Sequence, residues 1–204
     1  WPPKGITITP MYLRSEGRSN SASGDGLLSF DKPGKELADC FTYNPMFPVP
    51  TKGGGNCCSP HIVNWGAFDQ REIEARADVL VYTSETLTDE VEVSGPIILK
   101  LFASTDCADT DFTAKLVDVE PDGSARNLTD GIIRARYRVP RQPAALITPG
   151  EVYEFTIDLW ATSNAFLQGH RIRVTITSSC FPRFDSTLNT GGPIHKEAVG
   201  QVAI

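Results

Sequence analysis

The sequence is poor in the features that mark specialised protein classes. It has no run of roughly 18 to 20 apolar residues, so it offers no transmembrane helix, and no charged-then-apolar signal segment opens it. Basic side chains are outnumbered, 19 Lys and Arg against 25 Asp and Glu for a net charge of -6. They form no stripe that could neutralise a phosphate backbone. Neither a membrane nor a nucleic acid is therefore expected as a partner. Cysteine is sparse, and Cys40, Cys57, Cys58, Cys107 and Cys180 make an odd set with no framework spacing. That points to reduced thiols and a cytoplasmic setting rather than a secreted disulfide scaffold. No segment carries a convincing helical apolar face, which argues against βαβ units.

What the sequence has in quantity is period-two alternation. From His170 to Ser179, Ile172, Val174 and Ile176 alternate with Arg171, Arg173, Thr175 and Thr177, the pattern of a strand with one buried and one wet face. From Glu151 to Leu159, Tyr153, Phe155, Ile157 and Leu159 point inward against Glu154, Thr156 and Asp158. Further strands are expected at Val79–Thr83, Val91–Val93, Ile97–Ser104, Phe112–Glu120 and Gly131–Tyr137, with strand-like pieces at Ile6–Leu13, Leu27–Phe30 and Asp39–Tyr43. Pro121-Asp122-Gly123, Pro149-Gly150 and Gln168-Gly169 punctuate them as turns. Many short strands without intervening helices predict an all-β fold, a sandwich or barrel, with a jelly-roll-like sandwich the expected form. A chain of 204 residues can bury roughly 70 % of its unfolded surface, enough for one domain over 1–204 without disulfides. The chain starts on Trp1 rather than Met, which suggests a piece of a longer protein.

Two stretches interrupt the pattern. Ser15–Gly26 is polar and rich in Gly and Ser, and Pro45–Gly66 is a long Pro/Gly-rich loop of the kind that is usually functional or disordered. The loop contains Cys57-Cys58-Ser59-Pro60-His61, but adjacent cysteines do not give the ligand spacing of a structural zinc. A packed pair of free thiols is the simpler reading, ahead of a disulfide between neighbours, which strains the peptide. Asp106, Asp109 and Asp111 are read as turn-capping and backbone-binding carboxylates in preference to calcium ligands. No metal or cofactor is expected. The Gly-x-Ser-x-Gly turn that exposes a hydrolase serine is absent, Gly17-Arg18-Ser19 being its nearest start. His170 and His195 have no activated nucleophile to serve. The Asn127-Leu128-Thr129 sequon is read as chance.

Asp69-Gln70-Arg71, Asp78–Ser84, Asp109–Val119, Ala161-Thr162-Ser163-Asn164, Gly169–Arg173, and Phe181-Pro182-Arg183-Phe184-Asp185 with Asn189-Thr190-Gly191 occur in that order over nearly the whole chain. Together they resemble the C-terminal domain of the cocaine esterase and X-Pro dipeptidyl-peptidase (CocE/NonD) family of serine hydrolases. The resemblance implies a parent with an α/β-hydrolase domain bearing a Ser-Asp-His triad, a helical cap, and a jelly-roll β-sandwich, galactose-binding-domain-like, packed on both. This chain matches the jelly roll alone, without the family's last closing strand. None of its residues is then catalytic, and its partners are the hydrolase and cap domains of its own parent chain, with self-association possible through the docking face. In the family, the loop before the Asp-Gln-Arg segment shapes the acyl or leaving-group pocket. Here that is Gly53–Gly66, with Asn56, Cys57, Cys58, Ile62 and Trp65 as the expected substrate-facing residues. The expected role is to stabilise the catalytic domain and complete its pocket. The alternative is a carbohydrate-binding module, for which only Trp65 and Trp160 could serve as platforms. Trp160, at the end of an alternating strand, reads instead as buried or packed against an edge.

Overall fold

The computed structural model describes residues 1–57, 61–194 and 196–204. The fold is all-β, as the alternation requires: β1 (Tyr12–Arg14), β2 (Leu27–Ser29), β3 (Leu80–Thr83), β4 (Val91–Ala103), β5 (Asp111–Val119), β6 (Ala125–Arg134), β7 (Tyr153–Phe166) and β8 (Arg171–Thr177). One turn of helix, α1 (Arg71–Glu74), and a 3-10 turn at Ala135–Tyr137 complete the regular structure among the described residues. Six strands form one sheet in the order β1-β2-β3-β8-β5-β6, and β4 and β7 form a long antiparallel ribbon.

The two layers make a β-sandwich, and alternation decides what lies between them. Phe155, Ile157 and Leu159 of β7 are fully buried against Phe112, Ala114 and Leu116 of β5 and Ile172 and Ile176 of β8. The Phe112 and Phe155 rings meet with centroids 4.8 Å apart, a tilted contact of the kind aromatic quadrupoles favour. At the side of the sandwich β6 closes on β7. A Cβ placed on Gly131 would lie 2.1 Å from the Asp158 carbonyl oxygen, so only glycine admits that approach.

Several expected boundaries move. Ile6–Leu13 contributes only Tyr12 and Leu13 to a strand, and Asp39–Tyr43 only an isolated bridge from Tyr43 to Ala203. The pieces Val91–Val93 and Ile97–Ser104 are one strand, because β4 runs straight through Gly95-Pro96. Between Pro96 and Ile98 the register with β7 shifts, and Trp160 supplies the extra residue in a left-handed conformation (φ 65). This is a β-bulge, held by the Trp160 amide donating to Asp158 Oδ1 at 2.8 Å. The bulge lets β7 continue to Phe166 and turns Trp160 outward at 72 % exposure, against the expectation that it is buried or packed against an edge. Gly131–Tyr137 likewise divides into the end of β6 and the 3-10 turn.

The expected wet face of β8 is wet only at Arg171. Arg173, Thr175 and Thr177 are buried where α1 and its neighbours cover the outer face of the six-stranded sheet, with Val49, Ile73, Val79 and Val81 in a small core of their own. Several of the polar groups there find partners instead of water, although Glu74 Oε1 is buried without a hydrogen bond. Arg173 pairs with Glu74 and donates to Thr83 Oγ1 at 2.8 Å, and Thr177 Oγ1 donates to the Asp78 carbonyl at 2.7 Å. These partners offset the cost of burying Arg173 and Thr177.

Candidate functional site

The loop flagged by its length has two structurally distinct halves. Its first half is not free: Val49 donates to Ser179 Oγ at 2.8 Å, Phe181 donates to the Val49 carbonyl at 3.0 Å, and Thr51 donates to the Phe181 carbonyl at 2.6 Å. Val49 is part of the small core shared with Ile73, Val79 and Val81. The expectation of a functional loop over the whole of Pro45–Gly66 therefore narrows to its second half.

That second half closes on itself at a neck. Gly54 and Gly66 exchange backbone hydrogen bonds of 2.8 and 3.0 Å. Gly53, at φ 73, leaves no room for a Cβ, which would lie 2.5 Å from the Gly66 carbonyl and 2.9 Å from the Phe68 ring. Asn56 turns its amide back to the Gly53 and Asn64 carbonyls at 2.9 and 3.2 Å, so it ties the neck.

Gln70 anchors the neck to the sheet. It is 1 % exposed, and its Nε2 donates to the Lys52 carbonyl (2.7 Å), the Phe68 carbonyl (3.0 Å) and Asn127 Oδ1 (3.1 Å), while Oε1 accepts from Lys115 Nζ at 3.2 Å. Asn127 Oδ1 also accepts from the Phe68 amide at 2.8 Å. With Asn127 4 % exposed and its carboxamide so engaged, the sequon is structural. On either side of Gln70, Asp69 and Arg71 form a surface pair. The Arg71 hydrogen bond holds the Asp69 carboxyl down at about 2, helped by the Arg71 and Ala125 amides. Beneath Gly54, the Arg183–Asp130 ion pair completes the support, with the Arg183 guanidinium 4.9 Å from the Phe184 ring centroid.

Of the five expected substrate-facing residues, Ile62 and Trp65 are 69 % and 49 % exposed, Cys57 is exposed, and Asn56 is directed into the neck. Cys58 lies outside the described residues, as do Ser59, Pro60 and His195. Cys57 is disulfide-bonded, which corrects the expectation of a free thiol pair. Cys40, Cys107 and Cys180 are free, Cys40 at the surface in a hollow of about 490 Å³ beside Asn20, Phe41 and Arg76.

The aspartate cluster separates into individual contacts. Asp109 binds Arg136 through both its amide (2.9 Å) and Nε (2.6 Å), Asp111 binds Arg134 through two nitrogens (2.7 and 2.9 Å), and Asp106 accepts from the Ile204 amide at 2.9 Å. Burial pushes the Asp111 carboxyl up to about 6 in spite of Arg134. Both arginines line a cavity of about 270 Å³ under Ser186–Gly192, so their charge there is already matched. Ser19 is 0 % exposed, beneath the loop it was read in. His170 Nδ1 lies 2.8 Å from Asp118 Oδ1 and ties the start of β8 to β5.

Sequence reasoning found the loop but not what holds it. Gln70, Asn127, Lys115 and the Glu74–Arg173 pair come from separate segments, and of them only Arg173 lay on a strand face assumed to be solvated.

Comparison with known proteins places this geometry. Residues 1–202 match the model of the X-Pro dipeptidyl-peptidase C-terminal non-catalytic domain. The chain is 48 % identical over 202 residues to a cocaine esterase of Rhodococcus sp. (strain MB1 Bresler), covering 99 % of this chain and 35 % of that one. A putative serine esterase of Mycobacterium bovis is 32 % identical over 143 residues, covering 62 % of this chain and 21 % of that one. Among solved structures, an aminopeptidase from a marine sediment Thaumarchaeota archaeon superposes with a TM-score of 0.80 at 33 % identity, over 90 % of this chain and 33 % of that one. An α-amino acid ester hydrolase superposes with a TM-score of 0.80 at 27 % identity, over 96 % of this chain and 33 % of that one. The chain thus spans about a third or less of the length of each of these relatives.

Proposed function

The chain belongs to the family of X-Pro dipeptidyl-peptidase C-terminal non-catalytic domains, and from that membership we propose that it is the accessory β-sandwich of a serine hydrolase acting on an ester or amide. It stabilises the catalytic domain and completes one wall of its substrate pocket, while the nucleophile lies elsewhere in the parent chain. The relatives support the reaction class, since two are named as esterases, one as an aminopeptidase and one as an amino acid ester hydrolase.

The observation that carries the pocket role is the contrast between neck and tip. A loop whose base is fixed by Gln70, Asn127 and the Gly54–Gly66 pairing, yet whose Ile62 and Trp65 project into solvent, is built to present apolar side chains to something outside the sandwich. Fixing the neck limits the ordering cost of that contact. In the full-length parent, Trp65→Ala and Ile62→Ala each shift the ratio of kcat/KM between small and large acyl substrates by about tenfold, the size of a pocket effect of roughly 1 to 3 kcal/mol. Thermal unfolding stays within 2 to 3 °C of wild type, as suits exposed positions. Unchanged ratios across a panel of esters and amides for both variants would remove the loop from the pocket wall.

A further inference from the structure

Lys115 is an unusual residue for its position. It is buried on the covered outer face of β5, opposite Thr175 of β8 and Asp130 of β6. Among the described residues its ammonium has one hydrogen-bond partner, the neutral Gln70 Oε1, while Glu74 and Asp130 are paired with Arg173 and Arg183. Burying an ammonium against a single neutral acceptor costs free energy that the bond does not return. Val117 and Val119, farther along the same face, show that apolar side chains pack there. The lysine therefore needs a reason other than stability. That reason lies in the direction of the hydrogen bonds around it. A carboxamide turned end for end keeps nearly the same shape, so its neighbours alone decide which end donates. At Gln70 three acceptors surround Nε2, the Lys52 carbonyl, the Phe68 carbonyl and Asn127 Oδ1, and Lys115 is the donor at Oε1. From Lys115 donation runs one way, to Gln70, then to Asn127, and from Asn127 Nδ2, at a longer 3.5 Å, to the Gly66 carbonyl. The same carbonyl accepts from the Gly54 amide in the neck.

We propose that Lys115 is a positioning residue for the pocket wall, a specificity-determining side chain inside the sheet that never meets substrate. Its ammonium fixes which way the Gln70 carboxamide faces. Gln70 then holds Lys52 on one side of the neck and Phe68 on the other, and the neck sets the angle at which Ile62 and Trp65 project. Without the lysine, Gln70 Oε1 is left buried with no donor and the carboxamide has less reason to face one way. This role rests on the loop lining the pocket, but the state of the neck is read from its amides and not from turnover, so the two assignments fail separately.

Lys115→Met in the full-length parent tests it, because methionine keeps an unbranched apolar stem and loses the donor. The Gly54 and Gly66 amides, which bond across the neck, are expected to exchange about tenfold faster. The ratio of kcat/KM between small and large acyl substrates moves by about threefold or more, in the direction that Trp65→Ala moves it. The unfolding midpoint stays within about 2 to 3 °C of wild type, since the unpartnered Gln70 oxygen is offset by an ammonium no longer buried. Lys115→Arg, which keeps a donor, returns both exchange and ratio toward wild type. Gln70→Glu is the second variant and serves even where Lys115→Met does not fold: its carboxylate keeps the Lys115 contact but cannot donate to the neck, so the same two changes are expected. Unchanged exchange at Gly54 and Gly66 overturns the positioning role. Faster exchange with unchanged ratios also overturns it: if Trp65→Ala still shifts the ratios, the neck does not steer the tip, and if it does not, the loop is no pocket wall. A lowered unfolding midpoint shared by Lys115→Met and Lys115→Arg, with the same ratio change in both, overturns it in favour of a structural role alone.

Discussion

Asp111 shows how one residue's chemistry follows from its surroundings. Its carboxylate is bidentate with Arg134, which favours the ionised form, but it is 1 % exposed and near Asp109, and the net effect is a carboxyl raised to about 6 from an ordinary 3.8. A folded-state value above the unfolded one means that the folded chain binds the proton more tightly. The contribution of Asp111 to stability is thus fully present below about pH 4 and is lost as pH rises through about 6. Compared with Asp111→Asn in urea titrations, the wild type is expected to lose relative stability between those limits by at most about 1.4 kcal/mol per pH unit. A difference that is flat, or that grows with pH, contradicts the assignment. The buried phenol of Tyr43 behaves in parallel: burial raises it to about 12, and its hydroxyl donates to the Thr187 carbonyl.

At the scale of elements, the join between the two layers depends on a single absent side chain. β6 approaches β7 so closely at Gly131 that Thr129 Oγ1 reaches the Leu159 carbonyl, and this contact seals one side of the sandwich. Gly131→Ala is expected to force the strands apart and to cost about 2 to 4 kcal/mol, through lost packing of Ile157 and Leu159 and the broken contact. Gly123→Ala is a useful control. It occupies a turn with no atom near its Cβ, so its cost arises only from its φ of 87 and is about 1 kcal/mol. Equal unfolding midpoints for the two variants would mean that the close approach does not hold the layers together. The Trp160 bulge acts on the same ribbon. By absorbing one residue of β7, it keeps Phe155, Ile157, Leu159 and Phe166 all on the core face, which an unbroken alternation could not do.

For the whole molecule, the proposed role as a docked accessory part turns on its exposed apolar side chains. The exposed apolar residues Ile98, Phe102 and Trp160 lie on the outer side of the ribbon, and Ile62 and Trp65 on the loop. The 204-residue chain alone is expected to hydrolyse p-nitrophenyl acetate no faster than a denatured sample. Saturable turnover by the isolated chain, inhibited by a serine-directed reagent, would place a nucleophile within it. No helix among the described residues is long and apolar enough to cross a membrane.

The sequence by itself determined the fold class and the inward faces. Phe155, Ile157, Leu159, Ile172 and Ile176 are buried where alternation puts them, because a pleated strand presents successive side chains to opposite sides. It also located the loop, since length and glycine content are local properties, and its ordered motifs carried the family. Only the tertiary structure decided which polar residues are buried. Arg173 and Thr175 read as solvent-facing along their own strand and become core groups when α1 folds across them. The run of β4 through Gly95-Pro96 and the exposure of Trp160 were equally hidden. Each depends on which strand lies alongside, a relation between distant segments that no window of sequence contains.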